Sequence, residues 1–390
     1  MNLYSDIIFD GRRFHFNAAL RLDKDGTIIQ FLSEDQFNKN DFKYFPGLIL
    51  PGFINAHCHL ELSHLKGKFN TGTGLLAFLG SVVSQRETEQ YIIDAAIEKA
   101  DQEMFNNGIV AVGDISNKSD TIPCKLKSKI KYYNFIECFD FLQDSRSQEF
   151  FTPYQNLYEQ YQALAKSYSP HAPYSVSKSL FKLIKENNNL DSIISIHNQE
   201  VEDEDLLFVD KSGGFEKFFS QFGFSLTHFQ ATGKNSVYYA MENLPSQNNI
   251  LFIHNTCMNQ ADIEQAIRWN KNSYFVTCPN ANLFIENRLP NYELFSRYQD
   301  HICIGTDSYS SNWTLSILDE IKTILQYQSF LSLEQVLQWA CYNGARAFKM
   351  EKEMGTIDTY KRPGLNWIQD VYVENDKVKL GTNASVYKLA

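Results

Sequence analysis

The chain has 390 residues, 43% hydrophobic and 21% charged, an ordinary globular composition with ample apolar material for a large core. Thirty-six Lys and Arg against forty-six Asp and Glu give a formal net charge of −10, which argues against a nucleic-acid partner, because phosphate recognition relies on clustered cations. No apolar run approaches the ~18 residues of a membrane span, and Met1-Asn2-Leu3-Tyr4-Ser5-Asp6 lacks the basic and apolar stretches of a secretory signal.

In chain order, Leu3 to Pro46 reads as short strands with a tight reversal at Asp23-Lys24-Asp25-Gly26. A repeating unit follows: an apolar strand-like run, a loop, then a helical pattern. The strands are expected at Leu48–Ala56, Ile109–Asp114, Ile130–Cys138, Ser167–His171, Ile193–His197, Ile250–His254, Tyr274–Cys278 and Ile302–Asp307. Helical patterns fall at Leu75–Arg86, Gln90–Asn106, Gln148–Ala165, Lys178–Asn187, Gln260–Asn270 and Leu315–Gln328. Near-continuous apolar strands alternating with helices call for a parallel sheet buried on both faces, and eight such units predict an α/β fold, a (β/α)8 TIM barrel. A doubly wound open sheet is the alternative, weakened by the lack of a glycine-rich phosphate loop after the first strand. After Met354 the pattern returns to strands, Trp367–Val373 and Val378–Leu389. Residues 1–50 and 355–390 are therefore expected to build one small β-sandwich domain around a barrel of residues 51–354. Seven scattered cysteines with no CxxC pair suit reduced thiols in a cytoplasmic protein.

Active sites of such barrels sit at the C-terminal ends of the strands. There the sequence places Asn55-Ala56-His57-Cys58-His59, then His171, His197, His254 and Asp307. Any one histidine alone would read as a satisfied polar residue. Five at one rim are harder to reconcile with packing, because imidazoles buried together leave polar atoms unpaired unless something binds them. His57 and His59 share one side of an extended strand. With His197 and Asp307 they can complete a three-histidine, one-aspartate set for zinc or ferrous iron, zinc preferred, an ion that makes water nucleophilic near neutral pH. Glu200, three residues beyond His197, is placed for proton transfer. His15, His64, His228 and His301 lie away from strand ends and receive no role.

These stretches resemble the amidohydrolase superfamily. Pro51-Gly52-Phe53-Ile54-Asn55-Ala56-His57-Cys58-His59 is similar to its opening motif. His171-Ala172-Pro173-Tyr174-Ser175, His197-Asn198-Gln199-Glu200, Ile253-His254-Asn255, Cys278-Pro279-Asn280-Ala281-Asn282 and Gly305-Thr306-Asp307-Ser308 continue it over about residues 48–350. The pattern resembles the mononuclear deaminase and chlorohydrolase branch, which includes adenosine-analogue, guanine and aminodeoxyfutalosine deaminases. The resemblance implies one divalent metal on His57, His59, His197 and Asp307. It also implies that Glu200 protonates a ring nitrogen, that His254 and Asp307 orient and deprotonate water, and that His171 contacts substrate. Relatives carry Ser-Asn where this chain has Ala281-Asn282. The bridging lysine of binuclear relatives is missing from Pro170-His171-Ala172-Pro173.

The expected reaction is hydrolytic deamination of a purine- or nucleoside-like small molecule with release of ammonia. Ring-amide hydrolysis or dechlorination on the same site is the enzymatic alternative, and a silent metal-binding barrel the non-enzymatic one. Specificity is expected from the segments Glu61–Gly74, Phe141–Thr152, Glu202–Lys217 and Tyr309–Trp313, which read as loops. His59-Leu60-Glu61-Leu62-Ser63 resembles aminodeoxyfutalosine deaminases and points to an adenine-bearing substrate, with Glu61 as a second contact. No membrane partner is expected, and homo-oligomerisation is left open.

Overall fold

The computed structural model describes residues 1–389. The chain opens with β1 (Asn2–Phe9), β2 (Phe14–Leu22), β3 (Ile28–Leu32) and β4 (Lys43–Pro51). The Asp23–Gly26 reversal joins β2 to β3: Asp23 Oδ1 accepts the Asp25 and Thr27 N–H groups, and Gly26 takes the left-handed φ of +89°. Eight parallel strands follow: β5 (Phe53–Cys58), β6 (Ile109–Ser116), β7 (Lys131–Cys138), β8 (Ala165–Pro170), β9 (Ile193–Asn198), β10 (Asn249–His254), β11 (Ser273–Thr277) and β12 (Ile302–Ile304). The chain closes with β13 (Leu365–Glu374) and β14 (Lys377–Lys388).

Both termini enter one six-stranded mixed sheet in the order β14-β13-β4-β1-β2-β3. Alternation along the second half of β1 and along β4 divides their side chains between two cores, and Leu3 at the start of β1 joins the sheet's own cluster. Leu3, Ile8 and Ile49 pack with Leu20, Ile28 and Leu365 in the sheet's own cluster, while Ile7, Phe9, Leu48 and Leu50 join the main core of the barrel. The expected single strand Leu48–Ala56 is thus two strands, β4 in the terminal sheet and β5 in the barrel. They part at Gly52, where a Cβ would fall 2.3 Å from Val110.

The barrel strands pair as two four-stranded parallel halves, β5-β6-β7-β8 and β9-β10-β11-β12. Alternate residues of β10 serve different layers: Ile250 and Phe252 pack in the main core with helical residues such as Ile263, and Leu251 and Ile253 pack with Phe348 and Met354. The halves meet at two seams. Between β12 and β5, the Thr306 and Asp307 N–H groups both donate to His57 O at 3.0 Å, and Cys58 and Asp307 form an isolated parallel bridge. Between β8 and β9, His197 N–H donates to His171 O at 2.8 Å and Ser195 N–H to Ser169 Oγ at 3.1 Å.

The segment Glu202–Lys217, expected as a loop, holds a helix at Glu202–Asp210 and the start of another at Phe215–Gln221. Its acidic run is a helix first turn, where carboxylates face the positive end of the dipole. Likewise Phe141–Thr152 runs into the helix Ser147–Gln160. Among the described residues no helix is long and apolar enough to cross a membrane, and the seven cysteines are free.

Candidate active site

The two seams bring the strand-end residues together. His57, at the end of β5, is fully buried, and its Nε2 lies 3.2 Å from His59 Nε2. Asp307 reaches across from the segment after β12 and sets Oδ1 3.4 Å from both nitrogens. The His197 ring, from β9, sits 4.9 Å from that of His57, and ligand atoms of His57, His59 and His197 all fall within 4.8 Å of one another. His197 Nδ1 donates to His171 O at 2.8 Å, which leaves its Nε2 lone pair free.

Burial pushes the His57, His59 and His197 imidazoles below their ordinary range, with further lowering from neighbouring histidines. They are therefore neutral donors at pH 7, the form a cation needs. His57 Nδ1 is buried without a hydrogen-bond partner. Neutral imidazoles crowded against a carboxylate fit a divalent cation and would otherwise be a costly cluster.

Two further groups share this mouth. His254 ends β10 with its backbone at φ +69°, and Asp307 lies at φ +56°; both are left-handed positions uncommon outside glycine, found where a site dictates the backbone. His254 Nε2 lies 3.6 Å from Glu200 Oε1. Burial holds His254 down to about 3, so it is a neutral acceptor. Glu200 is pushed well above the usual carboxylate range, first by burial and then by Asp307, Glu204 and Glu286, so its surroundings favour the protonated form. Glu204 also accepts the backbone N–H groups of Gln199 and Glu200, which ties the turn carrying Glu200 to the following helix.

His171 stands at the rim, half-buried, its Nδ1 2.7 Å from Ser175 Oγ and its ring 4.9 Å from His197. Glu61 is different. Its carboxylate is buried: Oε2 accepts the N–H groups of Asn117 at 2.8 Å and Lys118 at 3.0 Å, and Oε1 pairs with Arg86 at 3.2 Å. Both oxygens are occupied, so a substrate contact through Glu61 would have to displace a protein donor. Ala281 is buried and Asn282 Nδ2 donates to Thr256 Oγ1 at 2.6 Å, just beyond His254.

Some supporting residues escaped sequence reasoning. Asn55 Nδ2 donates to Thr306 Oγ1 at 2.7 Å while Thr306 N–H returns a bond to Asn55 Oδ1 at 3.0 Å, locking the first seam. Asp114, near the end of β6, accepts Leu60 N–H at 2.8 Å and pairs with the buried Lys125. Glu137 in β7 lies 3.5 Å from His197 Nδ1. Each lies in the C-terminal half of its strand or beside the HxH pair, near the signal used for the histidines, but a lone Asn, Asp or Glu there reads equally well as a cap or a loop acid.

The Amidohydrolase family matches the chain over residues 48–388. The chain belongs to the amidohydrolase family. Among its relatives, an adenosine deaminase of Helicobacter pylori is 29% identical over 329 residues, covering 82% of this chain and 78% of its own length. An aminodeoxyfutalosine deaminase of Nitratiruptor is 27% identical over 71% of this chain and 67% of its own length. Among solved structures, Helicobacter pylori aminofutalosine deaminase in complex with methylthio-coformycin superposes with a TM-score of 0.76 at 24% identity, covering 94% of this chain and 91% of that one. Atrazine chlorohydrolase of Arthrobacter aurescens, solved with zinc, gives 0.72 at 13% identity over 94% and 86% of the two chains. At these identities the structural likeness speaks to the amidohydrolase barrel alone.

Proposed function

We propose that this amidohydrolase removes an amino group from an adenine-bearing small molecule by hydrolysis, with His57, His59, His197 and Asp307 holding one divalent cation, zinc by preference. The carrying observation is the pairing of Glu200 and His254, 3.6 Å apart, beside that donor cluster. A purely structural metal needs no proton shuttle. The deaminase names of the relatives support the reading, as does the zinc in the solved chlorohydrolase.

When bound, the cation supplies the Lewis acidity that makes water nucleophilic near neutral pH. Neutral His254 and Asp307 orient that water and accept its proton as its oxygen adds to the amino-bearing ring carbon. Protonated Glu200 delivers its own proton to the adjacent ring nitrogen, so no anion builds up on the ring. The proton taken from water passes to the exocyclic nitrogen, the carbon–nitrogen bond breaks, the remaining hydroxyl proton returns to Glu200, and ammonia and a ring carbonyl result. His171, at the rim, contacts the bound ring. The free thiols and the absence of a spanning helix among the described residues support a cytoplasmic location.

The test couples elemental analysis to ammonia release over a panel of adenine nucleosides, guanine, pterins, a dihydropyrimidine and a chlorotriazine. One metal per chain and ammonia from an adenine nucleoside are expected. Hydrolysis confined to the dihydropyrimidine or the chlorotriazine, or no stoichiometric metal, would refute the proposal.

A further inference from the structure

Glu137 has no part in the chemistry above, yet it is 4% exposed and lies against the donor cluster. Its two oxygens differ. Oε2 accepts from Asn117 Nδ2 at 2.9 Å, whereas Oε1 is enclosed without a hydrogen-bond partner, 3.5 Å from His197 Nδ1. A buried carboxylate oxygen left unpaired calls for a reason.

Three reasons compete. Ligand atoms of Glu137, His171 and His197 lie within 4.8 Å of one another, which suggests a second cation. However, His197 Nδ1 carries the hydrogen that it donates to His171 O at 2.8 Å and has no lone pair on that side. Binding there would also free the ring that the first site needs fixed. A substrate-reading role needs an oxygen open to the mouth, and Oε1 is enclosed. What remains is the N–H edge of His197 itself. We propose that Glu137 is a positioning residue of the metal centre, its carboxylate set behind His197 so that it and His171 O share the Nδ1 hydrogen.

The arrangement has a clear physical purpose. An imidazole that gives electron density to a cation becomes a stronger donor at its other nitrogen, and a carboxylate behind it both orients the ring and raises its basicity. Asn117 fixes the far oxygen of Glu137, and Asn117 is itself held through its backbone N–H by Glu61, which pairs with Arg86. A chain of polar contacts thus runs from the half-buried Arg86 to the ring of His197. The inference rests on the reading of His197 as a ligand.

The experiment measures zinc affinity of the full chain by competition with a chromogenic chelator, and the visible spectrum of the cobalt(II)-loaded protein, for wild type, E137Q, N117A and H197A. E137Q is expected to bind zinc about 10–100-fold more weakly, the usual cost of losing an outer partner of a ligand, and to shift the cobalt bands. N117A, which keeps the carboxylate but loosens it, should show a smaller loss and serves if E137Q fails to fold. Melting of the chelator-stripped protein should be unchanged in E137Q, separating a ligand-positioning effect from a packing one. Unchanged zinc affinity with a raised KM for the ammonia-yielding substrate would overturn the proposal in favour of a substrate contact. Two zinc equivalents in wild type falling to one in E137Q would overturn it in favour of a second cation. H197A that keeps full affinity would fault the ligand reading itself, whereas H197A losing zinc while E137Q does not would fault Glu137 alone.

Discussion

The two seams of the barrel do the same job by different means. At the β12–β5 seam the backbones come into contact, and the neighbour of His57 is Gly305, where a Cβ would fall 2.8 Å from His57 Cβ and 2.9 Å from its nitrogen. That closeness lets Asp307 reach both His57 and His59. The β8–β9 seam has one backbone bond, His197 N–H to His171 O, and is otherwise stitched through side chains: Ser169 Oγ accepts Ser195 N–H, Ser167 Oγ donates to Ile193 O, and Tyr133 OH accepts Ile193 N–H. The proposed ligand here, His197, donates to the His171 carbonyl, with Glu137 Oε1 3.5 Å from the same nitrogen. The first seam therefore adds close packing at Gly305 to its hydrogen bonds and should break sharply when overpacked; the second relies on hydrogen bonds and should weaken by degrees.

The largest expected effect comes from the first seam. Asp307→Asn removes a charged donor from between two imidazoles and a proton acceptor with it, so both bound zinc and ammonia release should fall to background. Retention of one zinc with measurable turnover would show that the seam tolerates a neutral partner. Next comes Glu200→Gln, which touches neither seam. It should lower kcat by about 10²–10⁴-fold, or roughly 3–5 kcal/mol in the barrier, at unchanged zinc content. Because burial already disfavours the Glu200 charge, the variant should melt no lower than wild type. Near-normal kcat would make another group the proton carrier.

Gly305→Ala sharpens the contrast within the backbone. Overpacking against His57 and Cys278 should cost about 1–3 kcal/mol and weaken zinc binding together with stability. Ser169→Ala at the other seam leaves one buried N–H unpaired and should cost about 1 kcal/mol with zinc retained. Chemical unfolding of both, alongside zinc titration, separates the two designs. Equal losses at both seams would remove the distinction.

Much of this was legible in the sequence, because buried parallel strands are continuous apolar runs and their polar terminators stand out. Ile193–His197 and Ile250–His254 are within a residue of β9 and β10 for that reason. The helix Glu202–Asp210 was not legible: its apolar and charged residues lack a clear helical period, and its support is tertiary, with Glu204 buried against Ser236 and Gln199. Nor was the division at Gly52, where apolar character runs unbroken while the chain changes sheets. At the site, histidines were visible because few other reasons gather them at one rim. Glu137 was hidden because its meaning depends on which face of β7 meets His197, a three-dimensional fact.

The remaining prediction lies outside both seams and concerns Glu61, where sequence and geometry suggest different roles. As a substrate contact, Glu61→Gln should raise KM at unchanged stability. The structure instead gives it a strap's position, joining the turn after His59 to Asn117, Lys118 and Arg86. Burial pushes its carboxyl up to about 7, against the opposing pull of Arg86 and the Asn117 N–H. The folded state then holds this proton more tightly than the unfolded chain, whose carboxyl titrates near the ordinary ~4.3. Stability from this group is accordingly full below that value, falls as pH rises towards 7, and is level above, with a slope of at most about 1.4 kcal/mol per pH unit. Gln resembles the protonated acid in size and keeps an acceptor for the two N–H groups. The variant should therefore match wild type at pH 4, lose the slope, and be the more stable of the two at pH 8. Chemical unfolding of the chelator-stripped proteins at the two pH values reads this directly, with histidine titration common to both cancelling in the difference. Parallel stability curves together with a raised KM would return Glu61 to the substrate side of the mouth.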